Sequence, residues 1–395
     1  MAAPSDRATD PATPRFRDGV PFCLGVFVAV RVLLSLIAVV GVRNHSPGAD
    51  VVGAAGQGSE QPATSGWHNA FDGTVRWDAV WYIAIVRDGY EATGRDATFY
   101  PGYPIVARAV DRASPLGPTA AALLVSNVSF FGALVVLHAL TRREFSDRLA
   151  RRTVVLVAIF PTSFFFLAPY SESLFLLSSL LSFWWARRDR WVLAGLAAAF
   201  AAITRSIGIV LVPCLLLEAF SKRPHTAELR TRVLGSLAPV VPLIAYALWW
   251  LGRTGDALRP FHAQASWMRS MTFPIFTLAN ALELGLRGIG DPVGIYWTGD
   301  LLLTAALLVP LTIAWRRLPL PYLAYAALSL LVPLTLPLPA RPLVSVPRYM
   351  IVIFPAFWAL ALVIDRPVLR RIVLLVSTAG FVIASLAFMN WGFLF

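Results

Sequence analysis

Charge is scarce in this sequence and lysine is almost missing. Asp, Glu, Lys and Arg make up 14% of 395 residues, against 57% hydrophobic residues. Soluble globular domains carry roughly a quarter charged residues, so that class is excluded. Only two cysteines occur, Cys23 and Cys214, far apart in apolar runs, so no disulfide framework and no cysteine metal site follows. The five histidines, His45, His68, His138, His225 and His262, show no H-x-x-x-H spacing, and no metal site is expected from them. A P-loop and a Rossmann glycine fingerprint are both lacking, which leaves a nucleotide-binding fold unsupported. Asp-x-Asp occurs nowhere in the chain.

Apolar length is what the sequence has in quantity. A membrane-spanning helix needs about 20 mostly apolar residues, and runs of that kind recur from Val20 to the C-terminus. The expectation is an all-α, polytopic bundle. The run Val20 to Val42 is too long for a signal-peptide core and has no small-residue cleavage site, so it reads as a retained span. The net charge of +12 does not indicate nucleic acid, because the arginines are scattered through short segments between spans. Clusters at Arg142 to Arg152, Arg187 to Arg190, Lys222 to Arg232, Arg316 with Arg317, and Arg366 to Arg371 all fall on one side, which the positive-inside rule makes cytoplasmic. About eleven spans are expected, near 20–42, 118–140, 153–169, 172–186, 191–204, 206–220, 233–251, 299–315, 319–339, 348–364 and 372–391. The four from 153 to 220 are short for full crossings. This leaves a cytoplasmic tail, 1–19, a single membrane domain, 20–395, and two outer loops near 43–117 and 252–298. The stretch 46–64 is Gly/Ser/Ala-rich, and Asn44-His45-Ser46 fits a glycosylation pattern. A single lysine among 34 basic residues reflects GC-rich coding and points to a bacterial plasma membrane, or to the endoplasmic reticulum in a eukaryotic host.

Chemistry concentrates in residues 71–104, FDGTVRWDAVWYIAIVRDGYEATGRDATFYPGYP. The pattern from Arg76 to Asp88 predicts a short helix stopped by Gly89, with Trp77, Trp81, Ala84, Ile85 and Asp88 at helical spacing. The spacing predicts an interfacial amphipathic helix with its aromatics toward the lipid boundary. Asp78 falls in the first turn, where the helix dipole favours an ionised carboxylate. Such a group at the mouth of a membrane cavity suits a general base for a hydroxyl. An acid on a solvated face beside an ordinary aromatic belt explains the same spacing equally well.

Four ordered motifs lift that tie. RWDAVWYIAIVRDGY (76–90) followed by FYPGYP (99–104), PTSFFFLAPYSESLF (161–175), ITRSIGIVLV (203–212) and SVPRYMIVIFP (345–355) resemble the PIG-V family, the GPI mannosyltransferase 2 relatives. The resemblance runs from about residue 20 to 360. It implies a GT-C-like membrane glycosyltransferase that takes a sugar from a lipid-phosphate carrier on the non-cytoplasmic face, with an acid of the first outer loop as base. By motif match that acid is Asp78, with Asp72 and Asp88 as second choices. Trp77, Trp81, Tyr100, Tyr103 and Tyr349 are expected to shape the substrate pocket.

Arginine or acid beside a span is costly and by default marks function. Arg205 and Arg348 are therefore expected to meet the departing lipid phosphate through guanidinium forks, unless they instead pair with Glu172. Glu172 itself either orients an arginine or binds acceptor. Arg31 in the first span is expected to pair internally. A lipid monophosphate donor needs no Asp-x-Asp metal clamp, so neither metal nor cofactor is expected. The implied partners are a polyprenyl-phosphate sugar, most simply the mannose form, a glycolipid or lipid-linked glycan acceptor, and membrane lipids. A lipid-carrier flippase or transporter, or a non-catalytic assembly subunit, would also need intramembrane arginines; inverted repeats, which would favour transport, are not visible.

Overall fold

The structure is a computed structural model that describes residues 16–42, 68–91, 93–221, 226–290 and 294–392. Asn44, the stretch 46–64 and most of the N-terminal tail lie outside the described residues. Among the described residues there is no strand, only an isolated antiparallel bridge between Leu338 and Arg341.

Helices of five residues or more are numbered here in chain order. The first of the two segments expected to lie outside, named the first outer segment, lies between α1 (Val20–Gly41) and α4 (Gly117–Glu144) and carries α2 (Asp78–Asp88) and α3 (Gly102–Ala113). There follow α5 (Asp147–Ile159), α6 (Glu172–Ala186), α7 (Trp191–Thr204), α8 (Leu211–Ser221), α9 (Thr226–Leu237) and α10 (Val240–Thr254). The second outer segment carries α11 (Pro274–Arg287). The chain ends with α12 (Ile295–Ala314), α13 (Leu320–Thr335), α14 (Val346–Met350), α15 (Phe354–Val363) and α16 (Pro367–Met389).

Among the described residues, five stretches are long and apolar enough to cross a membrane, Val20–Gly41, Gly117–Glu144, Glu228–Thr254, Ile295–Arg317 and Pro367–Met389. The other six expected spans are shorter or broken, and two of the breaks lie just before a proline. α5 stops at Ile159 because Pro161 forces Phe160 out of the helical region, at ψ 144°. The expected span 348–364 is split at Ile353, two residues before Pro355, and 206–220 opens as a 3-10 turn, Ser206–Val210.

The bundle has two chemically different ends. At one end arginines meet acids of neighbouring segments: Arg142 with Asp18 at 2.7 Å, Arg187 with Glu144 at 3.0 Å and Glu218 at 3.1 Å, and Arg152 with Asp365 at 2.9 Å. At the other end side chains tie helix termini to the outer segments. Arg76 donates to the Met389 carbonyl at 3.1 Å, Asn390 to Gly41 at 2.9 Å, Tyr103 to Ala122 at 2.8 Å and Arg253 to Tyr90 at 2.7 Å. Arg31 also reaches this end, donating to the Ala70 carbonyl at 2.8 Å and stacking on Phe71. It finds an internal partner as expected, though a carbonyl and not an acid.

Small residues set the closest helix contact. A Cβ on Gly195 of α7 would sit 2.8 Å from the Gly235 carbonyl oxygen, and one on Gly235 of α9 would sit 2.5 Å from that of Trp191. Backbones this close are how apolar helices gain packing energy when lipid removes the hydrophobic drive between them. Gly195→Leu is therefore expected to destabilise the fold by at least ~1–3 kcal/mol, the usual range for overpacking. Gly25→Ala, whose added Cβ meets no atom within 4 Å, should leave the melting temperature unchanged; thermal unfolding of both variants in detergent checks the pair.

Candidate active site

Each polar residue of the site stands where a helix starts or breaks. Asp78 is the first residue of α2, and Trp77 before it has φ 55° and ψ −122°. A tryptophan at positive φ stores roughly 1–3 kcal/mol of strain and persists only where its surroundings hold it. Trp77 packs edge-on against Trp391 at 5.7 Å between ring centres. Glu172 is the first residue of α6, and both carboxylates thus gain from a helix N-terminus. Arg205 sits in extended backbone between α7 and the following 3-10 turn, and Arg348 lies within the short α14.

These four residues form one alternating chain of charges. Arg348 donates through Nη1 to Asp78 and through Nε to Glu172. Arg205 Nη1 donates to the same Glu172 oxygen, Oε1, at 2.5 Å and to Ser171 Oγ at 3.2 Å. Tyr82 closes the cluster by bonding Ser171 Oγ at 2.8 Å. The Glu172 side chain is 0% exposed, whereas 31% of the Asp78 side chain remains open. Aromatic faces cover the guanidiniums: Arg348 lies 4.6 Å from the Tyr170 ring centre and Arg205 4.9 Å from that of Tyr349.

A cavity of about 500 Å³ opens onto Asp78, Arg205 and Arg348. One wall comes from the first outer segment, with Trp77, Trp81, Tyr82, Arg95, Phe99 and Tyr100. Further lining comes from the second outer segment, with Gln264, Trp267 and Arg269, and from α14 and the residue before it, with Tyr349 and Ser345. Arg95 is held 5.4 Å from the ring centres of both Trp81 and Trp267. Arg269 donates to the Leu336 carbonyl at 2.9 Å and to Ser345 Oγ at 2.6 Å. Among the described residues neither Arg95 nor Arg269 pairs with a carboxylate, so the cavity holds more positive charge than its acids balance.

Of the residues expected from sequence, Asp78, Trp77, Trp81, Tyr100, Arg205, Arg348 and Tyr349 line this cavity, and Glu172 stands directly behind it. Three do not. Asp88 is exposed at the far end of α2 and pairs with Arg87 at 2.9 Å. Asp72 lies outside the cavity beside Arg76, its carboxyl pushed up by burial. Tyr103 is fully buried, donating to Ala122 and bonding Ser126 Oγ at 2.9 Å, so it braces α3 against α4. α2 also departs from the expected interfacial helix: Trp81 and Tyr82 are buried at 7% and 4% exposure, packed on Phe99 and Tyr103. Interior aromatic partners win over the lipid boundary here. Arg95, Trp267 and Arg269 were not expected from sequence.

The family model described as mannosyltransferase (PIG-V) matches residues 26–223. The chain belongs to the PIG-V mannosyltransferase family. The matched stretch includes Asp78, Glu172 and Arg205 and ends before Arg269 and Arg348. GPI mannosyltransferase 2 of Cryptococcus neoformans is 32% identical over 149 residues, 34% of this chain and 34% of that protein. GPI mannosyltransferase 2 of Candida glabrata is 31% identical over 137 residues, 31% of this chain and 32% of that protein. The chain thus spans about a third of the length of these curated relatives. The crystal structure of ArnT from Cupriavidus metallidurans bound to undecaprenyl phosphate overlays with a TM-score of 0.49 at 16% identity, covering 94% of this chain and 76% of that one.

Two measurements follow from this geometry. Glu172→Gln removes the charge that both arginines share; breaking a buried pair on one side costs about 3–5 kcal/mol, so a sharply lower melting temperature in detergent is expected. The second concerns Asp96, in the turn that carries Arg95. Burial raises its carboxyl to about 6, with the Glu91 backbone N–H, which donates to Asp96 at 2.9 Å, pulling it back in part. Because the folded value lies above the unfolded one, this turn is most stable with Asp96 protonated and loses stability as pH rises through 6. Hydrogen exchange of amides 93–99, corrected for intrinsic rates, should quicken between pH 5 and 7, and Asp96→Asn should flatten that change.

Proposed function

We propose that the chain is a membrane mannosyltransferase that moves mannose from polyprenyl-phosphate mannose to a hydroxyl of a glycolipid or lipid-linked glycan. The observation that carries this reading is a half-open carboxylate, Asp78, facing a cavity with unbalanced guanidiniums, in a chain of the PIG-V family. About 500 Å³ lies within the usual range for a small-molecule site, ~300–1,000 Å³, and suits a sugar phosphate with part of an acceptor.

Asp78 takes the proton of the acceptor hydroxyl as that oxygen bonds to the anomeric carbon. The bond from that carbon to the phosphate oxygen breaks, and the lipid phosphate leaves with the electron pair. Attack from the face opposite the leaving group inverts the anomeric configuration. Arg348 aims Asp78, and Glu172 with Arg205 keeps Arg348 in place. Arg205 and Arg348 lend positive field to the phosphate, while Arg95 and Arg269, which have no acid of their own, grip it directly. A general base contributes about 10²–10⁴-fold; positioning and charge stabilisation supply the rest.

The cavity lies at the end of the bundle opposite the arginine clusters of Arg142, Arg187 and Arg152. The positive-inside rule assigns those clusters to the cytoplasm, so on this reading the reaction takes place on the non-cytoplasmic face, of a bacterial plasma membrane or of the endoplasmic reticulum in a eukaryotic host.

Purified protein incubated with polyprenyl-phosphate mannose and candidate glycolipids, with products read by mass spectrometry, tests the reading. Asp78→Asn should lower turnover at least 10²-fold with little change in melting temperature, and Arg95→Gln and Arg269→Gln should raise the KM for donor. Near-normal turnover of the Asp78 variant would remove the base assignment.

A further inference from the structure

A second cavity, of about 730 Å³, lies at the arginine-rich end, far from Asp78 and sharing no residue with the first. It is formed where the start of α5, the end of α12, the end of α15 and the start of α16 come together. Four guanidiniums line it, from Arg148, Arg152, Arg317 and Arg366, against a single carboxylate, Asp365. Arg152 is the telling member. Its side chain is 12% exposed, and Nη1 pairs with Asp365 at 2.9 Å. Its Nη2 is buried and meets no acceptor in the protein. Asp365 is itself 74% exposed and shares only one edge of the guanidinium. Arg148, Arg317 and Arg366 form no ion pair among the described residues.

A buried guanidinium nitrogen without an acceptor is expensive, of order 1–3 kcal/mol and more for a charged group. A charge surplus in a concavity favours an anion with several oxygens, as a tetrahedral phosphate has. The cavity is not purely polar, however. Ile313 and Leu369 belong to its lining, and they continue onto an exposed apolar surface with Ile313 at 63%, Leu369 at 39% and Ile372 at 52% exposure. A phosphate attached to hydrocarbon chains satisfies both halves of the surface at once. A free phosphate satisfies only one.

We propose that this cavity binds the phosphate headgroup of an anionic membrane lipid, its oxygens meeting Arg152 Nη2 and the guanidiniums of Arg148, Arg317 and Arg366. The acyl chains lie along α12 and α16. The lipid fastens α12 to α5 and α16, which no ion pair does among the described residues. This site depends in no way on the transferase reading.

The experiment uses the full chain in detergent, followed by native mass spectrometry and thermal unfolding. Phosphatidylglycerol is the probe, with diacylglycerol and inorganic phosphate as separate arms. Wild type should keep a phosphatidylglycerol adduct and melt higher with it, an effect that weakens as salt rises. Arg152→Gln/Arg317→Gln should bind at least tenfold more weakly. Arg317→Gln alone, at an exposed position, covers the case in which the double variant fails to fold, and should show a smaller loss in the same direction. Equal effects of diacylglycerol, full replacement by inorganic phosphate, or an undiminished adduct in these variants would each overturn the proposal.

Discussion

Glu172 is the group on which the outer half of the molecule depends. It has no exposure, and it holds two arginines from segments 33 and 176 residues away in sequence. Through Arg348 it also reaches Asp78 on the first outer segment. A buried ion pair gains little net stability, because desolvation offsets attraction. Its value is positional. Four charges in strict alternation can be satisfied in one arrangement only, and that arrangement draws α2, α6, the break after α7 and α14 to a single point. The helix dipoles at Asp78 and Glu172 act in the same direction, and the Tyr170 and Tyr349 rings shield the guanidiniums from lipid.

The same logic explains why the helices around the site are short. A continuous span would carry backbone past the mid-plane with all its polar groups paired internally, leaving no termini to offer. The break at Arg205 gives up that economy and places Thr204, Arg205 and Ser206 on the cavity. The long uninterrupted helices α1, α4, α12 and α16 stand elsewhere in the bundle and contribute no residue to the cavity lining. Proline accounts for part of this division, at Phe160 before Pro161 and at Ile353 before Pro355, but not for the break at Arg205, and α12 runs on through Pro310.

That pattern was readable in part. The helix ending at Gly89 was legible because glycine at φ 92° is a local signal, and Asp78, Arg205, Glu172 and Arg348 stood out because charge beside apolar runs is rare. The pairing of both arginines with one glutamate was visible only as an alternative, since spacing says nothing about contacts over 176 residues. Arg95, Trp267 and Arg269 were not legible: they lie in outer segments without period, and only the fold brings Trp267 across from Trp81. Tyr103 and Asp88 show the reverse failure. Both sit within the motif stretch, yet one turns into the core and the other to water, a difference that a linear pattern does not carry. Hydropathy also registers apolar length without showing where a helix breaks, so the interruptions at Phe160 and Ile353 were not legible.

One buried pair gives the cavity a mechanical character. Arg341 grips Asp300 of α12 with Nε at 2.6 Å and Nη2 at 2.9 Å, both partners almost fully enclosed. The segment anchored there runs on through Val344 and Ser345 to Arg348, so one flank of the cavity is riveted to a long helix. Any outward swing of that flank would strand two opposite charges in apolar surroundings, at about 3–5 kcal/mol. The second outer segment is tied to the same flank, since Arg269 donates to Ser345 Oγ at 2.6 Å and the Ser270 N–H to the Pro337 carbonyl at 3.3 Å.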